Sequence, residues 1–155
     1  MHTFSQTAEY ALRIVAWIAG RPPGQPILAR DLSAATLIPE QYLLKILRRL
    51  VLAGLLESRK GRGGGFVLSK PPQQICFGDV LEAVDAYPSR DRCAFGWGAC
   101  DQSRPCPLHT AWGPMSEKFM QWATTSTFAG FDRQPRLGAP RKAAMAFARR
   151  RTPKG

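Results

Sequence analysis

The fold of this chain is decided by residues 38–69, IPEQYLLKILRRLVLAGLLESRKGRGGGFVLS. The first half repeats apolar residues at the three- and four-residue steps of a helix, and Gly54 supplies a left-handed stop. Residues 55–58 and 66–69 then predict an antiparallel strand pair. The seven residues 59–65 between them exceed a tight turn and predict a projecting, mobile loop. A helix followed by such a hairpin is typical of a winged helix-turn-helix.

The flanking residues predict the rest of a mostly α fold. Helices are expected over residues 3–20, 27–35, 39–53, 77–86 and 108–128. In the second helix we expect Leu28, Leu32 and Ala35 to face inward, and Pro39 suits the first position of the third. The architecture is therefore a winged helix-turn-helix with a two-stranded wing, a cysteine-bearing loop and a long C-terminal dimerisation helix.

Four regions follow from these elements. Residues 1–72 form the DNA-binding winged helix-turn-helix, and residues 73–107 hold a linking helix and the cysteine loop. Residues 108–130 form the dimerisation helix, because an apolar stripe there lies outside the three-helix core and a second copy would bury it. Packing of that stripe on its own domain is the alternative. Residues 131–155 are a basic tail that we expect to be disordered.

The charge of the 155-residue chain favours a polyanionic partner. The net charge is +11, and residues 132–155 alone contribute +7. Such a balance indicates binding to nucleic acid or to an anionic membrane surface. The sequence has no secretory signal and no apolar run of the ~18 residues that a membrane span needs. We therefore expect a cytoplasmic protein, without a membrane partner, whose thiols stay reduced.

The third helix and the wing supply the candidate DNA contacts. A recognition helix turns one face to the core and the other to the major groove, and its first residues lie closest to base edges. Glutamine can bind adenine there, and arginine or lysine can bind guanine or phosphate. The glycines of the wing let its backbone approach a phosphate or enter a minor groove. The candidates are Pro39, Glu40, Gln41, Tyr42, Lys45, Arg48, Arg49, Arg59, Lys60, Arg62 and Gly63. We expect Arg48 and Arg49 to contact backbone or solvent rather than bases.

A second group of residues has the chemistry of a metal centre. Six residues separate Cys93 from Cys100, five separate Cys100 from Cys106, and two separate Cys106 from His109. Thiolates and imidazole suit iron–sulfur clusters and zinc. Redox-active free thiols and inert loop cysteines are the alternatives. Cys76, at a helix start, is expected to be a small buried residue.

Catalytic and nucleotide-binding functions find little support. GRGGGF lacks the Lys-Ser/Thr of a P-loop and leads into a strand rather than a helix. Cys106 with His109 has few other catalytic groups nearby. No catalytic residue is assigned, and the chain is predicted not to be an enzyme.

The motifs resemble those of the IscR/NsrR (Rrf) family of bacterial winged-helix regulators. The resemblance covers about residues 1–128 and is carried by TAEYALRIVAWIA, by AGLLESRKGRGGGFVLS in the wing, by CFGDVLEAV and by the cysteine loop ending CPLHTAW. It implies a homodimer on a palindromic operator in double-stranded DNA. Many members are repressors that sense iron, nitric oxide or redox state through an iron–sulfur cluster.

The resemblance also implies a ligand set. Cys93, Cys100 and Cys106 match the three cluster cysteines. The fourth ligand differs between branches and maps onto His109 or, from the partner subunit, onto Glu9. The first cysteine spacing is longer than in the well-known branches, which leaves a 2Fe-2S and a 4Fe-4S cluster both open. Structural zinc or free thiols without a cluster are the alternative.

Overall fold

The computed structural model describes residues 4–87, Cys93, Gly98 and residues 103–131. Its helices and its single antiparallel strand pair confirm the mostly α, winged-helix architecture. The elements are α1 (Gln6–Ala19), α2 (Ala29–Thr36), α3 (Glu40–Leu52), β1 (Leu56–Arg59), β2 (Gly65–Leu68), α4 (Phe77–Ala83) and α5 (His109–Thr125). The expected basic tail, residues 132–155, and Cys100 lie outside the described residues.

α1 is the central helix of the core. It begins after Ser5, whose hydroxyl accepts a hydrogen bond from the Ala8 amide at 3.3 Å and so satisfies a free N–H at the helix start. Its buried side chains include Ile14 and Val15, which are fully shielded from solvent. Because α1 packs against α2, α3 and α4, it holds the other helices in position.

The turn between α2 and α3 sets the angle of the helix-turn-helix. Leu37 ends α2 in the left-handed conformation (φ 55°), and the Ser33 hydroxyl donates to the Ile38 carbonyl at 2.6 Å. Leu32 and Thr36 are the buried residues of α2. The expectation that Leu28 and Ala35 face inward was wrong, because α2 begins only at Ala29 and its inward face is displaced along the sequence.

α3 is amphipathic, as its sequence predicts. Leu43, Ile46, Leu47 and Leu50 are buried against α1 and α2. Val51, expected in this stripe, is half-buried. Pro39 stands just before the helix as its N-cap rather than at its first position. The buried stripe fixes which residues of α3 face outward.

The wing is tighter than predicted. β1 and β2 pair from Leu56↔Leu68 to Arg59↔Gly65, which leaves five connecting residues instead of seven. Phe66 also exchanges two backbone hydrogen bonds with Ile27, of 2.8 and 3.1 Å. A Cβ on Gly65 would lie 2.4 Å from the Ile27 carbonyl oxygen. Glycine is needed at this position by the fold itself.

α4 and α5 pack together through aromatic side chains. The Phe77 ring stacks on Phe128 at 4.5 Å between centroids and lies 5.4 Å from Trp122. Phe119 is 5.6 Å from Trp122 and packs against the core. The apolar stripe expected at a dimer interface is therefore divided. Its C-terminal part packs on its own domain, and Met115 remains 56% exposed.

Candidate nucleic-acid interface and cysteine loop

The outward face of α3 presents polar and cationic side chains to solvent. Gln41, Tyr42, Lys45 and Arg48 are exposed, and Pro39 and Glu40 precede them at the exposed helix start. The Lys45 ammonium lies 6.0 Å from the centroid of the Tyr42 ring, at the outer limit of a cation–π contact. This surface combines hydrogen-bonding groups with positive charge, which a major groove requires.

Arg49 differs from the other predicted contacts. Its side chain is partly covered and forms an ion pair with the Asp85 carboxylate. Asp85 follows α4 in a left-handed conformation (φ 54°), three residues before the undescribed segment 88–92. Arg49 therefore links the last turn of α3 to the chain that leads into the cysteine loop.

The wing presents cations on a backbone rich in glycine. Lys60 and Arg62 are exposed, while Arg59 donates from Nη1 to the Gly24 carbonyl at 3.2 Å. Gly61 and Gly63 have positive φ values of 90° and 77° and open space around them. These two glycines form the tip of the wing, where a phosphate backbone could approach closely.

The cysteine loop brings two of the predicted ligands onto one turn. His109 begins α5, and its amide donates to the Cys106 carbonyl at 2.9 Å. The imidazole lies beside Gly113, with Nε2 3.5 Å from the position of a Cβ there. Cys93 and Cys106 are half-buried, and the Cys93 amide donates to the Gly98 carbonyl at 2.9 Å.

Cys100, one of the predicted ligands, lies outside the described residues. Among those residues, which omit Cys100, no three His, Cys, Asp or Glu side chains are grouped to hold a metal ion. Glu9, the alternative ligand, lies half-buried in the first turn of α1. The chemistry of the donors, two half-buried thiols and an imidazole three residues beyond Cys106, fits an iron–sulfur cluster or zinc.

Cys76 has a structural position apart from the other cysteines. It caps α4, its amide donates to the Asp79 carboxylate at 2.7 Å, and its side chain accepts from the Asp79 amide. Burial of the thiol and the neighbouring Asp79 charge raise the pKa of Cys76. It is half-buried rather than buried as expected, because a capping side chain sits at the helix end.

Sequence reasoning passed over two residues on or next to this surface. Asp85 was not recognised as a partner of Arg49, since 36 residues separate them and no local pattern predicts the pair. Leu44 was passed over although it falls between Gln41 and Lys45. Its position outside the buried stripe, readable from the helical period, was the available signal.

Comparison with known proteins identifies the family. The model of the Rrf2 family, described as an iron-dependent transcriptional regulator, matches residues 4–131. The chain belongs to the Rrf2 family. It is similar to the HTH-type transcriptional regulator IscR of Cronobacter sakazakii, with 33% identity over 109 residues that span 70% of this chain and 67% of that protein. The IscR of Klebsiella pneumoniae is likewise 33% identical, over 70% of this chain and 66% of that protein.

Solved structures of two other regulators share the fold. CymR, the global cysteine regulator of B. subtilis, has a TM-score of 0.71 at 20% identity and covers 86% of this chain and 98% of its own. The IscR of T. potens has a TM-score of 0.65 at 17% identity and covers 99% of this chain and 94% of its own. The expected family, fold and transcriptional-regulator class are confirmed, and DNA binding follows from the family. The family consists of regulators rather than enzymes. No helix in the described ranges is long and apolar enough to cross a membrane.

Proposed function

We propose that this Rrf2-family regulator represses transcription by binding a palindromic operator as a homodimer, and that an iron–sulfur cluster changes its affinity for that DNA. The main observation that supports this proposal is the exposed polar face of α3, which lies beside a cationic wing. Region 1–72 reads the operator, 73–107 holds the cluster and 108–130 joins the subunits. The protein acts in the cytoplasm, where its thiols stay reduced.

The DNA contacts are divided between bases and phosphates. Gln41 and Lys45, near the start of α3, reach base edges, together with Pro39, Glu40 and Tyr42 around them. Arg48 and the wing cations contact phosphates, which adds affinity without sequence preference. Arg49 is already paired with Asp85, so its role is to connect α3 to the segment after α4 rather than to contact DNA. The basic tail, residues 132–155, adds further sequence-independent affinity.

Salt dependence tests the wing. Replacing Arg59, Lys60 and Arg62 by alanine should weaken binding to all duplexes and lower the slope of log affinity against log salt by about two to three. The matched control replaces Lys70 and Lys118, two exposed cations outside the proposed DNA interface, by alanine and should leave the slope unchanged. A slope as steep in the wing variant as in the control would remove the wing from the interface.

Truncation after Phe131 should weaken binding at low salt, and unchanged binding would show that the tail does not contribute.

Cys93, Cys100 and Cys106 hold the cluster, with His109 as the fourth ligand and Glu9 as the alternative. When bound, such a cluster supplies a centre that reacts with oxidants and nitric oxide or is lost when iron is scarce. The shared turn of Cys106 and His109 supports His109, because a single loop then provides the donors. Either a 2Fe-2S or a 4Fe-4S cluster is compatible with three thiols and one further ligand.

Iron and sulfide analysis tests the ligand set. Protein prepared without oxygen should contain both, and serine at Cys93, Cys100 or Cys106 should abolish them. Cys76→Ser is the matched control and should retain the cluster, since Cys76 caps α4. Loss of visible absorption in His109→Ala but not Glu9→Ala would assign the fourth ligand. Zinc without iron or sulfide would support the alternative, a structural zinc site, and a metal-free protein would leave redox-active thiols.

The ion pair of Arg49 with Asp85 offers a route from the cysteine loop to the recognition helix. Asp85 lies only eight residues before Cys93, and Arg49 stands in the last turn of α3. A rearrangement of the loop that moves Asp85 therefore acts on α3 through a direct contact. Such coupling requires contacts that differ between the two states. Asp85→Asn should reduce the effect of cluster loss on DNA affinity while leaving the cluster in place.

The exposed part of α5 supports dimerisation. Met115 is 56% exposed and Trp122 is 44% exposed, and both lie on one side of the helix. Met115→Glu should convert the dimer to monomer, as measured by sedimentation. Glu117→Lys, on the opposite side of α5, is the control and should remain dimeric. A Met115→Glu protein that stays dimeric would place the interface elsewhere.

A further inference from the structure

One apolar side chain interrupts the polar outward face of α3. Leu44 is 46% exposed and lies between Gln41 and Lys45, while the buried stripe of the helix is complete without it. At 100° per residue, Leu44 points about 60° to one side of Gln41, within the same outward face. Packing in the core therefore does not explain an apolar residue at this position.

A second leucine on the same face provides a comparison. Leu52 is 78% exposed and ends α3, eight residues after Leu44. A rise of 1.5 Å per residue places it roughly 12 Å farther along the helix axis. Because the first turns of a recognition helix contact base edges, Leu44 is within reach of the groove floor and Leu52 is beyond it.

The major groove offers one apolar group to such a side chain, the C5 methyl of thymine. Leucine has no donor or acceptor for the other base edges. We propose that Leu44 is a specificity-determining residue that contacts a thymine methyl in each half-site of the operator. This inference rests on the proposed binding of α3 in the major groove, and it adds a base preference that the polar residues do not supply.

Replacing thymine by uracil tests the contact, since uracil lacks only the methyl group. A duplex is first selected from a randomised library with the wild-type protein, and each thymine is then replaced by deoxyuridine in turn. One position per half-site should weaken wild-type binding about three- to fivefold, as expected for losing one buried methyl. Leu44→Ala should bind the thymine and uracil duplexes equally at that position, because the two changes remove the same contact.

Two further variants control for indirect effects. Leu52→Ala removes an equally large exposed leucine from the same face and should keep the uracil sensitivity of the wild type. Leu44→Met retains an apolar side chain of similar volume and should keep it as well. If Leu44→Ala kept the full uracil sensitivity at every position, the inference would be overturned while DNA binding stood. If the wild-type protein enriched no duplex, the proposed function would fail and this inference with it.

Discussion

α3 and α5 differ in how completely their apolar side chains pack within the chain. α3 buries Leu43, Ile46, Leu47 and Leu50 within its own chain and turns a mainly polar face outward. The longer α5 buries only Met120 and Ala123, although it carries several aromatic residues. α3 therefore packs its apolar stripe entirely within the chain, whereas α5 is covered on one side only.

The two ends of α5 account for this difference. Its C-terminal end leads into Phe128, which is fully buried and stacks on Phe77. Its N-terminal half carries His109 and the exposed Met115, next to the cysteine loop. The half of the helix that is nearest to the proposed cluster is thus the half that depends least on packing within one chain. A loop that is attached to this half of α5 can rearrange without unfolding the DNA-binding core.

The largest expected effect on stability is at the C-terminal end of α5, which leads into the buried Phe128. Phe128→Ala should lower the free energy of unfolding by about 4 kcal/mol, because it leaves a cavity among the stacked rings. Met115→Ala, at the other end, should change the stability of the monomer by less than about 0.5 kcal/mol. Urea unfolding at low protein concentration, where any dimer dissociates, measures both. Similar losses from the two variants would contradict the difference between the ends of α5.

The next effect tests whether the wing is built into the core. Gly65→Ala should cost about 3 kcal/mol, because its Cβ would collide with the Ile27 carbonyl in a conformation (φ 139°) that side chains avoid. Gly63→Ala in the same wing meets no atom and should cost only about 1 kcal/mol, for its positive φ. Thermal unfolding of the two proteins compares them. Equal costs would mean that the wing is not held against Ile27.

A smaller effect is expected at the ion pair that joins α3 to the segment after α4. A double-mutant cycle on Arg49 and Asp85 should give a coupling energy of about 0.5 kcal/mol, because both side chains are partly or largely exposed. The same cycle with Arg48, which is exposed on the outer face of α3, should give none. The ion pair is therefore a weak structural link, and the comparison predicts that its removal changes regulation more than stability. A coupling of several kcal/mol would make it part of the core instead.

The smallest effect concerns Cys76. Its raised pKa keeps the thiol protonated, so alkylation by iodoacetamide near pH 8 should be slower than that of an unfolded thiol. Because the folded-state pKa lies above the ordinary value of 9.0, this group favours the folded state less as pH rises past that value. Asp79→Asn should speed the alkylation by removing the neighbouring charge. A Cys76 that reacts as fast as an unfolded thiol would contradict the raised pKa.

The sequence predicted the winged module well because local patterns determine it. The period of α3 identified its buried stripe apart from Val51, and glycines with strand-forming residues identified the wing. Contacts between distant residues were missed. Ile27 forms a bridge with Phe66 beside the wing, and Arg49 pairs with Asp85, 36 residues farther along the chain.

The candidate site could be predicted only as a set of residue types. Cysteine spacing indicates a metal centre, and the first turn of α5 places His109 beside Cys106, as expected from the two residues between them. Spacing cannot fix the conformation of a loop rich in glycine and proline, since no repeating pattern specifies it. In the proposed dimer, the choice between His109 and Glu9 depends on how the two subunits meet, which periodicity within one chain does not encode.

DNA affinity measured with and without the cluster tests whether the cluster controls operator binding. Protein purified without oxygen would be titrated with a duplex selected from a random library, and the same preparation would be titrated again after its metal was removed. We expect broad visible absorption, matching amounts of iron and sulfide, and at least a fivefold difference in affinity between the two forms. Identical affinities, or a colourless protein that accepts no cluster on reconstitution, would contradict this expectation.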